Sequence, residues 1–482
     1  MKDLLYKSIH EVAPLIRSGE ISPVELTMAS LEQIRNTDPQ LNAFPLVKEQ
    51  EAIAAARNAE AAIVGGNYLG PLHGIPVGLK DNIAVQDWVT TCGSPILREY
   101  VTDYDAAVVE RLKDAGAVII GKNNMHEWAL AGSCTYSVFG TIHNPWDTNH
   151  TSGGSSGGSA AAVSSGQVFL SIGTDARASI RNPASYCGIV GHKPSTGLIS
   201  RYGELPPTSS WYMVIGPLAR TVRDAALAVD ILSGYDSRDP NSLKLDPKKN
   251  LSSLDRDIQG LRIGLVTNYF FDDVTEDVEK SILQASKSFG ELGAFVEEVQ
   301  IPSLQYMQLI EPSFESENKS WLLKYALTRG DDFLHQDIRF RILAGAFART
   351  IDHERASRLL SQVKWEVNEV FKKVDILLTP TNSTPAYNLT EREVQLKNDL
   401  VDVESANGQS RVTTRLTVPF NALGLPAISI PCGFASNGMP IGMQLIGRHA
   451  EDEKVINAAA NFEAKIGPGY VKPRMIKTTD YV

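Results

Sequence analysis

The chain has 482 residues, 43% of them hydrophobic and 21% charged, a globular balance that excludes disordered and fibrous classes. That length suits one large domain or about two to three ordinary ones. The net charge of −10 leaves no cationic surplus for neutralising phosphates, so direct nucleic-acid binding is not expected, although a partner subunit could supply a basic surface.

The opening MKDLLYKSIHEV carries acidic residues early and no long apolar core, unlike a signal peptide. No run reaches the roughly 18 apolar residues that a membrane span needs, so no membrane partner is expected. Cys92, Cys134, Cys187 and Cys432 are scattered without CxxC spacing and read as free thiols in a reducing compartment, with the cytoplasm as the expected location. The nine histidines form no HExxH or other close pair, so no metal site is expected.

In chain order, Ser22, Pro23 and Glu25 form a capping box that starts a helix, and an alanine-rich helix fits 50–63. Residues 1–65 are expected to be a helical segment packed on a single core of 66–482. The apolar run in PLHGIPVGLKDNIAV stops at Lys80-Asp81-Asn82. A helix is predicted over 105–115, and buried strands over 117–122, 261–266, 374–380 and 427–431. Another helix follows Val274, and AFVEEVQI at 294–301 comes after it. Strands alternating with helices indicate a large α/β layer structure. Residues 235–260 read as a surface loop, and 303–372 as a mainly helical stretch placed to cover a site. No internal repeat is present.

Residues 152–159, SGGSSGGS, have the composition of a spacer. They run straight into the helix-forming Ala160-Ala161-Ala162-Val163 and then VFLSIGTD, a predicted buried strand, so they fit a loop–helix junction better. Such a junction presents backbone N–H groups to negative charge. G-x-S-x-G occurs twice, centred on Ser155 and on Ser156, but no strand immediately precedes it, as a nucleophile elbow requires. The phosphate-loop pattern G-x-x-x-x-G-K-[ST] is absent. An S-x-x-K pair at 316–319 lies in a charged helical segment and reads as a solvated face. Farther on, Ser179 follows a strand among small residues, flanked by Asp175 and Arg181, which are near enough to pair and stiffen the turn.

Three stretches together resemble the amidase signature family of serine hydrolases: GIPVGLKDN with Lys80, GGSSGGSAAA, and GTD-x-x-x-SIR-x-PA-x-x-CG-x-x-GHKPS-x-G. The likeness runs from about Pro23 to about Ala464 and includes 216–236 and 417–448, and the two serines lie 24 positions apart as in the family. The resemblance implies a large mixed β-sheet core covered by helices on both faces. It also implies a Ser–Ser–Lys triad, with Ser179 as nucleophile, Ser155 as the bridging serine after a cis peptide bond, and Lys80 as general base. Ser156 would orient the network, with Asp175 and Arg181 in support. Backbone N–H groups of Ala176, Arg177, Ala178 and Ser179 would form the oxyanion hole.

The chemistry is coherent, because a serine hydroxyl needs an adjacent base and desolvation brings a lysine pKa toward a useful value. Where the family usually has Gly-Gly before the nucleophile, this chain has Arg177-Ala178, which alters the loop or the substrate clearance; with all three triad positions intact, an active enzyme with an altered pocket is expected. In amidase subunits of tRNA-dependent amidotransferases an aspartate would fall near Thr414, and here it is threonine. Trp211, Tyr212 and Met213, with Cys134 and Tyr136, are candidate pocket residues or else core. The expected activity is hydrolysis of a small, fairly hydrophobic or aryl amide, with esters or carbamates as side substrates. The alternatives are a catalytically impaired relative and a glutamine-hydrolysing amidotransferase subunit. The mechanism requires no cofactor, the expected partner is the small-molecule amide, and a homodimer is allowed.

Overall fold

The computed structural model describes residues 2–207, 212–245, 250–467 and 470–474. Thirteen strands are present: β1 Leu46–Val47, β2 Pro76–Lys80, β3 Val118–Asn123, β4 Leu170–Asp175, β5 Val190–Lys193, β6 Val214–Ala219, β7 Arg262–Val266, β8 Phe295–Val299, β9 Ile376–Pro380, β10 Glu393–Gln395, β11 Leu400–Asp402, β12 Ala427–Phe434 and β13 Pro440–Ile446. Eleven of them build one mixed sheet in the order β1-β3-β2-β4-β6-β5-β12-β13-β9-β7-β8, and β10 and β11 form a separate ribbon. Pairing is parallel at β3-β2-β4 and at β9-β7-β8, and antiparallel between those wings.

Alternation along the strands explains why helices cover both faces. In β3, Val118 and Ile120 join a cluster with Ala160–Val163, while Ile119 faces the opposite cluster with Val77, Leu79 and Ile172. The helix Gly157–Ser164 therefore packs on one face, and Val222–Leu232 supplies Val222, Ala225 and Val229 to the cluster on the other. This is the mixed sheet between helical layers implied by the resemblance.

Ser22 caps the helix Pro23–Leu41 as its spacing predicts: its side chain accepts from the amides of Val24 (3.0 Å) and Glu25 (3.3 Å), and Glu25 accepts from the Ser22 amide (3.3 Å). Ile9, Val12, Ile16 and Leu26 from the N-terminal helices lie in the main core cluster. The predicted helix at 50–63 spans Glu49–Val64, and the one at 105–115 spans Ala107–Asp114. Residues 303–372 are mainly helical. No helix among the described residues is long and apolar enough to cross a membrane.

Candidate active site

The site forms at the C-terminal ends of β2 and β4, which are parallel neighbours with Leu79 opposite Ile172. This pairing brings the last residue of β2, Lys80, beside Thr174 near the end of β4. The Lys80 ammonium is wholly buried and donates to Ser155 Oγ (2.7 Å) and Thr174 Oγ1 (2.8 Å). Asn82 also donates to Thr174 Oγ1 (3.3 Å), fixing that hydroxyl from a second side. Burial pulls the Lys80 pKa down to about 8, against opposing contributions that include Glu204 and Asp175.

Ser155 and Ser156 lie just ahead of the helix Gly157–Ser164, and the Gly154–Ser155 peptide bond is cis. The Ser155 carbonyl accepts from the His126 amide (3.2 Å) and from Cys134 Sγ (3.4 Å), and Gly154 N donates to Asn182 Oδ1 (2.9 Å). Ser156 N donates to the Ser179 carbonyl (3.3 Å), tying the Ser155 loop to the Ser179 loop. The glycines here are steric requirements. Gly153 has φ +72°, and a Cβ on it would sit 2.3 Å from Asn182 Oδ1 and 2.9 Å from Pro183 Cα. Gly153→Ala is accordingly expected to lower stability by roughly 1–3 kcal/mol, as overpacking does, and a denaturant-unfolding midpoint equal to the parent's would show slack that this geometry lacks.

Ser179 lies between β4 and the helix Arg181–Cys187, and it is only partly buried. Asp175, at the end of β4, braces this turn. Its carboxylate accepts from the Ile180 amide (3.2 Å) and from Arg181 Nε (3.1 Å) and Nη2 (3.3 Å), with Asn421 Nδ2 at 2.9 Å. Burial acts to raise the Asp175 pKa, but Arg181, Lys193 and Asn421 outweigh it and the carboxyl ends below its usual range. Arg181 also donates to Gln444 Oε1 (3.0 Å), the Thr417 carbonyl (3.0 Å), the Arg177 carbonyl (3.2 Å) and Asn421 Oδ1. Neither Arg177 nor Ala178 has a positive φ, so side chains replace the expected glycines without backbone strain.

The Arg177 side chain is one-fifth exposed. It donates to Thr414 Oγ1 (2.9 Å) and Ser410 Oγ (3.2 Å) and pairs with Glu311 from the helix Met307–Lys319.

A cleft enclosing ≈ 700 Å³ and continuous with solvent opens over Ser179. Its walls are mostly apolar and include Trp128, Leu130, Ala131, Pro206, Met213 and Leu322. Trp128, Ala129 and Cys134 all have positive φ (56°, 59° and 57°), an uncommon concentration for residues with side chains. The 303–372 segment roofs this wall: Trp128 stacks on Tyr325 (6.0 Å), and Glu127 accepts from the amides of Leu334 (3.0 Å) and His335 (3.2 Å).

Of the predicted pocket residues, Met213 lines the cleft and Tyr212 lines an adjoining pocket beyond Arg177. Cys134 is buried beneath Gly154 and Gly157, and Tyr136 stacks on His335 (4.3 Å); neither is among the residues lining the cleft. Trp211 lies outside the described residues. Sequence reasoning passed over Thr174, although it stands inside the GTD motif, and over Asn82, which is two positions from Lys80. No group of three or more His, Cys, Asp or Glu side chains suited to a metal ion is gathered among the described residues.

The Amidase family model matches residues 25–456. The chain belongs to the amidase signature family. It is 38% identical over 485 residues to a glutamyl-tRNA(Gln) amidotransferase subunit from Trichodesmium erythraeum, covering 95% of this chain and 97% of that one. Among solved structures, one described as a vestigial protein complex revealing the evolutionary origins of an s-triazine catabolic enzyme superposes with a TM-score of 0.90 at 30% identity, over 98% of this chain and 100% of that one. A bacterial aryl acylamidase of the amidase signature family superposes at 0.85 with 29% identity, over 96% and 97% of the two chains. Membership places this amidase among hydrolases of amide carbon–nitrogen bonds.

Proposed function

We propose that this amidase cleaves amides through an acyl-enzyme on Ser179. Ser179 Oγ attacks the amide carbon while its proton passes to Ser155 and the Ser155 proton passes to neutral Lys80. The tetrahedral oxyanion forms against the backbone amides of 176–179. Its collapse breaks the C–N bond, and the proton returns from Lys80 through Ser155 to the leaving nitrogen. Water then attacks the ester by the same relay, releasing the carboxylic acid and restoring Ser179. The observation that carries this reading is the contact between the buried Lys80 ammonium and Ser155 Oγ, with the lysine pKa brought to about 8.

For the substrate, the printed name of the curated relatives supports glutamine as the amide and a role within a multi-chain assembly. Thr414 and the apolar walls of the cleft support a small free-standing amide instead. The relatives cover nearly the whole chain, so they weigh more heavily, and the glutamine reading stands first. It requires ammonia release from glutamine and stable co-purification with a partner protein; turnover of anilides without either would favour the second reading.

The shared chemistry has its own test. A fluorophosphonate should label Ser179, and kcat/KM should rise with pH through about 8 as Lys80 loses its proton. Absence of labelling, or activity falling over that range, would refute the triad.

A further inference from the structure

We infer that the amide processed here carries a carboxylate close to the scissile carbonyl, and that Arg177 selects it. This rests on the acyl-enzyme reading above and specifies its substrate class. Arg177 is the sole charged side chain among the described residues lining the Ser179 cleft, whose other walls are largely apolar. Burying a charge is unfavourable unless it is paired, and the carboxylate that pairs with Arg177, Glu311, is not among the residues lining that cleft. The turn itself does not require the arginine, since neither Arg177 nor Ala178 has a positive φ.

What holds the guanidinium is consistent with presentation to a ligand. The hydroxyl oxygens of Thr414 and Ser410 accept from Nη2 and fix its orientation at the cleft wall without cancelling its charge. The countercharge comes from Glu311, which contacts the guanidinium directly, lines the adjoining pocket with it and sits on a helix outside the sheet. Arg177 lines both cavities, so a carboxylate already rests against it on one side while the reacting carbonyl would lie on the other. A planar, permanently charged fork is the side chain suited to carboxylate recognition. An anionic amide in the cleft would share or take over the pairing that Glu311 makes.

The test compares succinamate with 4-oxopentanamide, a neutral amide of similar length, by kcat/KM from released ammonia. Parent protein is expected to prefer succinamate by about tenfold or more, as a charge-assisted hydrogen bond in a shielded site allows. Arg177→Gly should collapse this ratio toward one, Arg177→Lys should retain part of it, and Glu311→Gln, which removes the competing carboxylate, should raise it further. A parent ratio of one or less, or an Arg177→Gly variant that loses both substrates equally, would overturn the inference, the latter pointing to a latch. Should Arg177→Gly fail to fold, calorimetry on Ser179→Ala protein decides: succinamate should bind more tightly than 4-oxopentanamide and weaken with salt, and equal binding refutes selection. Turnover of the neutral amide alone sinks only this inference. Failure on every amide, together with no phosphonate labelling of Ser179, sinks the amidase reading beneath it.

Discussion

Replacing Lys80 by methionine is expected to lower kcat roughly 10²–10⁴-fold, the usual contribution of a positioned base, while leaving the melting temperature near neutral pH at or above the parent's. The two effects have one cause. Lys80 is held in a wholly buried position that brings its pKa from 10.5 to about 8, so the folded state binds its proton less well than the unfolded chain does. Below about 8 the folded protein bears the full penalty, on the order of a few kcal/mol. Between 8 and 10.5 the unfolded chain holds more protons, so stability rises with pH, and above 10.5 the penalty is gone. Methionine removes this term and fills similar volume. It also removes donors from Ser155 and Thr174, but Thr174 keeps Asn82. Melting curves at pH 7 and 9.5, with kcat from the same preparations, check both halves. A variant that melts far below the parent at pH 7 would show that the lysine is chiefly a structural tie.

The largest stability effect is expected at Arg181. Arg181→Met leaves Asp175 as a buried carboxylate without its main counter-ion, a change that typically costs roughly 3–5 kcal/mol. Both side chains are fully buried, and Arg181 also joins Gln444, Asn421 and the carbonyls of Thr417 and Arg177, so one side chain ties the Ser179 turn to the C-terminal elements. The pH slope has the same sign as that of Lys80 but lies in an acid window, and here the charged form supports the fold instead of burdening it. Asp175 has a lowered folded pKa, so its stabilisation is fully present above its unfolded value of 3.8 and is lost as pH falls through the folded one. The double variant Arg181→Met/Asp175→Asn, which removes both charges, should recover part of the loss. Urea unfolding of the two variants decides the matter; a loss below roughly 1 kcal/mol in the single variant would mean that Asp175 has other sufficient partners.

The strands that were legible in the sequence were β3, β4, β7, β9 and most of β12, where several apolar residues surround a lone glycine or proline. β5, β6 and β13 were not, because β6 and β13 each carry both a glycine and a proline, which argue for edges or loops, and β5 has a single apolar residue. Yet β6 lies inside the sheet, with Pro217 opposite Ile172, and Gly216 is there because a Cβ would come within 2.3 Å of the His192 carbonyl oxygen. That requirement belongs to the neighbouring strand and leaves no local trace. The site divides in the same way. Lys80 and the serines were readable because each sits in a compact motif. Arg177 was visible only as a departure, since its partners Ser410, Thr414 and Glu311 lie more than a hundred residues away and share no pattern with it. Likewise, Trp128 and Leu322 meet in the cleft only because the 303–372 segment folds over the wall loop.

Lys80 and the Ser179 loop take their positions from adjacent strands of one sheet, whereas the cleft walls come from a loop, a helical insertion and a C-terminal helix that need not change together. The placement of Lys80 beside Thr174 thus follows from main-chain pairing, and the shape of the cleft from surfaces laid over it. Such a division leaves the overlay free to be rewritten for a different amide while the strand pairing beneath it stays as it is.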